Sequence, residues 1–363
     1  MRTFLTGLED GVTRVISRAV WPLIVLVSLA LAAVSLRADI VRNLYSAQVP
    51  VANQSSQALA RASRDALAEV LVKVSGSVEV LEYPAISAAL GEARGHVQQY
   101  SYSRDEGAQG ELAARFAFDG SFVTQLVTRA GAPLWTANRP QVLVWVVVDD
   151  DSGRYFVNGE TAPDLAEQVL AEFSRRGVPV QWPLFDLADS AVISPQQVWR
   201  LDDTALRAAS ARYGVQNIVA GRLTAVPAGK SVGDWSYLYA GDRIDRSVRA
   251  PDLDTFVRDG VSIVAEEMSS RYAVISSGSD ESSVSMSVVG VFNYADYAGI
   301  VAWLEGLEPI EHANVERIQG DRVELRLHAQ ADAADLASII ELNDRLVPVP
   351  PTVANSQLSY QWH

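Results

Sequence analysis

A run of seven consecutive apolar residues, 142–148 (VLVWVVV), constrains the fold more than any other part of this sequence. A strand with one wet face alternates apolar and polar residues, whereas this run does not, so we expect a strand covered on both faces. Amphipathic helices at 161–177 and 254–272 and a strand at 216–226 accompany it. This order predicts an α/β domain over residues 139–275, in which helices cover a mixed sheet.

An N-terminal unit precedes this domain. An amphipathic helix over 59–74, a second helix over 83–99 and an alternating strand over 112–118 predict an α+β domain spanning residues 39–138. Ser55 or Ser56 can cap the start of the first helix, and Gly76 fits the left-handed position after its end. The fold class is therefore α/β and α+β, with an N-terminal hydrophobic helix in front and a further unit behind.

The further unit lies near the C-terminus. A stretch rich in Ser, Gly and acidic residues predicts a linker at 276–284. The element order β-α-β-β-α over 285–350 then favours a ferredoxin-like unit. Residues 347–351 are predicted to be extended. Residues 351–363 are assigned as a tail, whose end, Tyr360 to His363, could be an exposed docking strand, could pack on its own domain or could be frayed.

The first 38 residues predict export. Residues 19–36 are uncharged and apolar or small, and Arg14 and Arg18 precede them, which is the order of a signal sequence. The run is also long enough to reach the lower limit for spanning a bilayer. We therefore expect a periplasmic location, either cleaved and soluble or anchored in the inner membrane by residues 19–36. Cleavage could follow Ala38 or Ala32.

Composition excludes several classes of function. The formal net charge is −14, so long-range repulsion from phosphate makes nucleic acid an unsuitable partner. The chain has no cysteine, which excludes disulfides, thiolate nucleophiles, Cys-based metal sites and an acylated lipoprotein N-terminus. Basic residues are almost all Arg, with Lys73 and Lys230 the only lysines, a bias that we attribute to coding composition.

No motif predicts a catalytic residue, a cofactor or a metal site. The Gly229-Lys230-Ser231 triplet lacks the earlier glycine of a phosphate loop. The acidic run 149–151 lacks the spacing of a calcium loop and is typical of a solvated turn. The histidines show no metal-ligand spacing; they are His96, His312, His328 and His363.

Tryptophans are the remaining candidates for contact with a partner. Trp135 and Trp145 flank the Arg139-Pro140 turn. Aromatic side chains most often anchor cores, but a pair beside an arginine could also form a contact patch. We therefore predict Trp135, Arg139 and Trp145 as possible partner or ligand contacts.

Several segments together resemble a proteobacterial cell-envelope family, domain of unknown function 2066. They are residues 44–51, 64–67, 70–76, 100–102, Trp135 and 139–145. The likeness covers roughly residues 39–280; it implies an exported protein and supplies no catalytic residues. More weakly, residues 140–272 resemble in topology the α/β domains of curli-secretion and Tol-system envelope proteins, which mediate assembly.

Three functional hypotheses follow. The first is a non-enzymatic scaffold or assembly module whose partners are envelope proteins or the membrane surface. The second is a periplasmic module that binds a glycan, peptide or lipid near Trp135, Arg139 and Trp145. The third is a hydrolase with an unfamiliar site.

Overall fold

The computed structural model describes residues 39–41, 43–104, 112–225, 231–275, 282–343, 345–351 and 356–363. The hydrophobic helix predicted within 1–38 lies outside these residues. Among the helices that are described, none combines the length and apolar character needed to cross a membrane. The described residues form a mixed α/β structure with ten α-helices and 18 strands in five sheets.

The N-terminal part places helices against a three-stranded sheet. Its elements are β1 (Asp39–Ile40), β2 (Ser46–Pro50), α1 (Ser56–Ser75), α2 (Pro84–Gly91), β3 (Val97–Arg104), β4 (Leu112–Phe118) and α3 (Gly120–Arg129). The sheet is antiparallel in the order β2-β4-β3, so β2 is an edge strand. Pro50 suits that position because proline has no N–H to donate to a neighbouring strand.

Helix α1 has the termini that its sequence predicts. The Ser55 side chain accepts a hydrogen bond from the Ala58 N–H, and Gly76 follows the helix in the left-handed conformation. The helix predicted over 83–99 is wrong in its second half. It ends at Gly91, because a 3-10 turn and then strand β3 take over, and the β-forming residues from Val97 onward pair with β4.

The central part begins with two short strands and contains the six-stranded sheet. Its elements are β5 (Leu134–Trp135), β6 (Asn138–Arg139), β7 (Val142–Asp150), β8 (Gly153–Phe156), α4 (Pro163–Arg176), β9 (Val180–Gln181), α5 (Leu187–Val192), α6 (Pro195–Trp199), α7 (Asp203–Ser210), β10 (Asn217–Ala225), β11 (Ser231–Tyr239), β12 (Asp242–Ala250), α8 (Leu253–Tyr272) and β13 (Ala273–Val274). The order is β12-β11-β10-β7-β8, and β9 also pairs with β7. Strands β9 and β10 run parallel to β7, so the sheet is mixed, as predicted.

Strand β7 is buried on both faces, which confirms the interpretation of its apolar run. Val144 and Val146 pack in one apolar cluster with residues of α4 and α8. Trp145 and Val147 pack in a second cluster, on the opposite face, with residues of α6 and α7. Successive side chains of a strand point to opposite faces, so an unbroken apolar run needs two covering layers.

The C-terminal part begins with the predicted β-α-β-β-α order. Its elements are β14 (Ser282–Val289), α9 (Tyr294–Leu304), β15 (Ile310–Gln319), β16 (Arg322–Ala329), α10 (Ala333–Ile340), β17 (Leu346–Pro348) and β18 (Leu358–Trp362). The predicted linker lies largely outside the described residues, and its last part belongs to β14.

The tail assigned over 351–363 is part of the sheet at residues 358–362, so its end packs on its own domain, which is one of the predicted alternatives. These residues form β18, which inserts between β14 and β17 and runs parallel to β14. The reason is a period-2 pattern, in which Leu358 and Tyr360 alternate with polar residues and join the apolar cluster of this part. Residues 37–363 form one compact unit, and the domain boundaries given above remain predictions.

Candidate functional site

Arg139 is fully buried and lies where the N-terminal and central parts meet. Its guanidinium donates hydrogen bonds at 2.8–3.3 Å to five backbone carbonyls, those of Lys73, Trp135, Thr136, Arg176 and Gly177. Its Cζ atom lies 3.7 Å from the centroid of the Trp135 ring. Burial lowers the pKa of Arg139 to about 9, so the side chain still carries its charge at neutral pH. We call this arrangement the Arg139 junction.

The Arg139 junction ties together the C-terminal ends of two helices. The Lys73 carbonyl belongs to the last turn of α1, and the Arg176 carbonyl ends α4. Arg176 adds a second link, because its Nη2 atom donates to the Gly76 carbonyl at 2.9 Å. Carbonyls at a helix C-terminus carry partial negative charge and lack intrahelical donors, so the two arginines satisfy both needs.

Trp145 lies apart from the other two residues predicted as contacts. It packs on the opposite face of the central sheet, where its Nε1 atom donates to Ser210 Oγ at 3.1 Å. The structure thus brings Trp135 and Arg139 together and leaves Trp145 in another layer. All three side chains are 0 % exposed, so none offers a surface to a partner as the chain stands.

The other sequence candidates occupy ordinary structural positions. Asp150 accepts hydrogen bonds from the Ser152 N–H and the Tyr155 hydroxyl around a tight turn. His96 stacks on Phe122. Tyr360 is buried in β18. The Gly229-Lys230 pair falls outside the described residues. In the described ranges, no group of three or more His, Asp or Glu side chains is placed to hold a metal ion.

A polar cleft of about 570 Å³ opens beside the edge strand β2. It lies between that strand and helices α1, α4 and α8. Its lining comprises Asn43, Ser46, Ala47, Gln48, Glu69, Lys73, Arg115, Gln168, Ala171, Glu172, Ser174, Arg175, Asp254, Val257 and Arg258. A second cavity of about 470 Å³ lies alongside and shares Asn43, Ser46 and Arg115 with it.

Lys73 is the cleft residue with the most unusual surroundings. It is 4 % exposed, and its Nζ atom donates to the Ser46 carbonyl at 2.8 Å. The nearest carboxylate, that of Glu69, stands 3.8 Å away. Burial lowers the pKa of Lys73 and raises the pKa of Glu69, because both charged forms lose water. A perturbed pair of this kind in a cleft is a sign of a functional site.

The remaining charges of the cleft differ in whether they are paired. Arg175 and Glu172 form a two-pronged pair at 2.6 and 2.7 Å. Arg115 donates to the Asn43 side chain at 3.1 Å and is otherwise exposed. Gln168 Oε1 is buried and accepts no hydrogen bond from the part of the chain that the structure describes. The cleft therefore presents both cations and an open acceptor.

Sequence reasoning missed this site, although one signal was present. Lys73 lies next to the apolar stripe of α1, where it is followed by Val74 and stands three residues after Val70. A lysine there, in a chain whose basic residues are otherwise nearly all arginine, is a local exception. Coding composition accounts for the scarcity of lysine, but it does not account for a lysine beside a core.

Comparison with known proteins gives one match to a family model. Residues 38–136 match a family described as a domain of unknown function, DUF8605. The match contains β2, α1 and β4, which supply Lys73 and Arg115 to the cleft. The resemblance to domain of unknown function 2066 and its proteobacterial assignment are not confirmed by this match and remain predictions. No curated protein matches the chain.

Solved structures show only distant likeness. The chain has 12 % identity to an uncharacterized protein, covering 36 % of this chain and 90 % of that one, with a TM-score of 0.18. It has 12 % identity to a formyltetrahydrofolate deformylase from Pseudomonas putida KT2440, covering 55 % of this chain and 91 % of that one, with a TM-score of 0.16. Neither likeness carries an argument about fold or function.

Proposed function

We propose that this chain is a non-enzymatic binding module of the cell envelope, which holds a partner protein in the cleft beside β2. The observation that carries the proposal is the Lys73 ammonium. An ammonium has three N–H donors, and the partners of this one among the described residues are two: the Ser46 carbonyl at 2.8 Å and the Glu69 carboxylate at 3.8 Å. Burying a charge is costly unless it is paired and hydrogen-bonded, so a ligand that supplies further acceptors would stabilise it.

The envelope location is supported by the sequence of the N-terminal segment. A cationic flank at Arg14 and Arg18 followed by the uncharged run 19–36 favours translocation of the rest of the chain. In this proposal the cleft faces the periplasm, where envelope proteins can reach it. Mass spectrometry of the mature N-terminus, after cell fractionation, tests the location and distinguishes a cleaved from an anchored form.

Site-specific crosslinking in cells tests the binding function. A benzophenone amino acid at Asp254, on the rim of the cleft, should capture a defined partner. The same group at Ile318, which is 62 % exposed on β15, is the matched control and should not. The capture at position 254 should disappear when Lys73→Met and Arg115→Gln are combined. Equal capture from both positions, or capture that ignores the double variant, would refute the function.

The size of the cleft favours a second candidate, a small-molecule ligand. Ligand pockets commonly span roughly 300–1,000 Å³, a range that includes this cleft. A thermal-shift screen with envelope glycans, peptides and lipids separates the two candidates, because a ligand that binds the native state raises the melting temperature. A rise in melting temperature that a compound causes in wild type but not in Lys73→Met would favour a small-molecule ligand.

A further inference from the structure

We propose that the cleft receives an extended, acidic peptide segment, whose main chain pairs with the outer edge of β2 at Gln48 and whose carboxylates face Lys73, Arg115 and Arg258. This inference rests on the proposed function and specifies its partner. It would make the module a reader of strand-forming acidic segments, rather than a scaffold that contacts a folded surface.

The hydrogen-bond pattern of β2 shows which main-chain groups face the cleft. The Tyr45 carbonyl accepts from the Phe118 N–H, and the Val51 N–H donates to the Leu112 carbonyl. Along an antiparallel strand, every second residue directs its N–H and C=O toward the neighbouring strand. The main-chain groups of residues 45, 47, 49 and 51 therefore face β4. The N–H and C=O of Gln48 therefore point away from the sheet, toward the cleft.

The neighbours of Gln48 on this edge are already occupied. The Ser46 N–H bonds to the Asn43 carbonyl, and the Ser46 carbonyl accepts from Lys73. Pro50 has no N–H. Gln48 is thus the position on β2 at which an added strand could form a reciprocal pair of main-chain hydrogen bonds. Such strand addition supplies affinity through the main chain and specificity through side-chain pockets.

The charges of the cleft complement an acidic segment. The formal net charge of the whole chain is −14, yet four cations line this cleft: Lys73, Arg115, Arg175 and Arg258. Three acids line the same cleft: Glu172 is held by Arg175, Glu69 lies 3.8 Å from Lys73, and Asp254 stands four positions before Arg258 on α8. Burial raises the pKa of Glu69 above its ordinary value, in opposition to the Lys73 charge, which lowers it. The cleft thus has four cations against three acids in a chain that is negative overall, and Lys73, Arg115 and Arg258 can attract carboxylates to it.

The shape of the region accommodates an extended chain. Pairing at Gln48 places the side chains of a bound strand alternately toward the two sides of the β2 edge. The second cavity shares Ser46 and Arg115 with the cleft, so the path continues past the end of β2. Arg115 stands where the two cavities meet and can contact a carboxylate in either.

Two blocked peptides test the inference against the full chain. The acidic probe is acetyl-Val-Glu-Val-Glu-Val-amide and the neutral probe is acetyl-Val-Gln-Val-Gln-Val-amide, each with a fluorophore for anisotropy titration. We expect the acidic probe to bind at least about tenfold more tightly, since both Arg115 and Lys73 favour a carboxylate. The variant pair Arg115→Gln and Arg258→Gln should abolish that preference and leave the neutral probe unchanged.

Three backbone variants isolate the main-chain contribution. Gln48→Pro removes the outward N–H and should lower the affinity for both probes at least about tenfold. Gln48→Ala keeps that N–H and should bind like wild type. Arg104→Pro removes an outward N–H on β3, the other edge of the same sheet, at a residue that lines neither cavity, and should not affect binding. Circular dichroism and thermal melting confirm that each variant is folded.

The outcomes separate this inference from the function on which it rests. Equal affinity for the two probes, or binding that Gln48→Pro leaves intact, would overturn the acidic-strand inference. Capture of a partner from position 254 without binding of either probe would overturn it as well, while the binding function stands. Absence of both probe binding and capture would remove the proposed function itself.

Discussion

The Arg139 junction and the cleft each contain a buried cation, and they differ in how its donors are used. Arg139 is 0 % exposed and gives its donors to five carbonyls. Lys73 is 4 % exposed and has one hydrogen-bond acceptor in the described chain. The two sites meet at Lys73, whose carbonyl binds Arg139 while its side chain lines the cleft. A fully paired cation holds parts together, whereas a partly paired one is available to a ligand.

The chemistry of the two side chains fits this division. Guanidinium is planar, with donors fixed in a fork, so it can gather carbonyls from several segments at once. Ammonium is a compact charge on a flexible stem, so it can turn toward an incoming acceptor. The predictions that follow test whether the junction carries stability and the cleft carries binding.

Removal of the Arg139 side chain should have the largest effect. Arg139→Ala leaves the Lys73 and Gly177 carbonyls, among others, buried without donors and opens a cavity beneath Trp135. We expect at least about 4 kcal/mol less unfolding free energy, because each unsatisfied buried group costs roughly 1–3 kcal/mol. Urea unfolding of wild type and variant measures this loss of unfolding free energy. Arg139→Lys should recover only part of the loss, and a loss below that of an ordinary core substitution would contradict the role of the junction.

Gly76 should be the next most sensitive position at the junction. Its φ is +82°, and a Cβ atom added there would lie 2.1 Å from Ser269 Cβ. Gly76→Ala should therefore cost about 2–4 kcal/mol through strain and overpacking. Gly131→Ala is the matched control, since Gly131 has φ +70° but open space around it. It should cost only about 1 kcal/mol. Equal losses in the two variants would show that packing at Gly76 is unimportant.

Replacement of the buried pair in the cleft should change stability little. The double variant Lys73→Met with Glu69→Gln removes both charges together, so no unpaired charge remains buried. We expect an unfolding free energy within about 1 kcal/mol of wild type. Affinity for the acidic probe should nevertheless fall about tenfold, because a charge-assisted contact is lost. A large loss of unfolding free energy would contradict the small effect on stability, because it would show that Lys73, like Arg139, mainly stabilises the fold.

The smallest expected effect is a pH dependence from Glu69. Burial raises its pKa above the ordinary value of 4.5, so the folded state holds this proton to higher pH than the unfolded state does. Between those two pKa values the unfolding free energy falls as pH rises. The side chain at this position cannot titrate in the variant Glu69→Gln. The unfolding free energy of wild type minus that of this variant should therefore decrease as the pH rises above 4.5. A difference that rises with pH would contradict the effect of burial.

The parts of the fold that follow local patterns could be predicted from the sequence. The apolar run of β7 indicated two covering layers, and Ser55 and Gly76 marked the ends of α1. The cleft could not be predicted in this way. Its walls come from residues 43–48, 69–73 and 115, and also from two helices that begin more than 85 positions beyond the end of α1. The periodicity within one segment does not show which distant segments lie beside it in the fold.

The contact role predicted for Trp135, Arg139 and Trp145 illustrates the same limit. Residue type and spacing identified Arg139 as unusual, but they could not say where its donors would go. Its acceptors lie as far as 66 positions away, at Lys73. Trp145 is only six positions further along the chain, but strand alternation places it in another layer. Burial of a polar group is decided by partners that are distant in sequence.

The insertion of β18 has a consequence for biosynthesis. Its neighbour β14 is made 72 residues earlier, as the Ser285–Gln357 contact shows. At about 5–20 residues per second, the ribosome needs roughly 4–14 s to supply the missing strand. Through that interval one side of β14 lacks its native neighbour, and any extended segment could pair with it. We therefore expect the yield of folded protein to depend on a race between β18 and such competitors, and to improve when translation of residues 290–357 is fast.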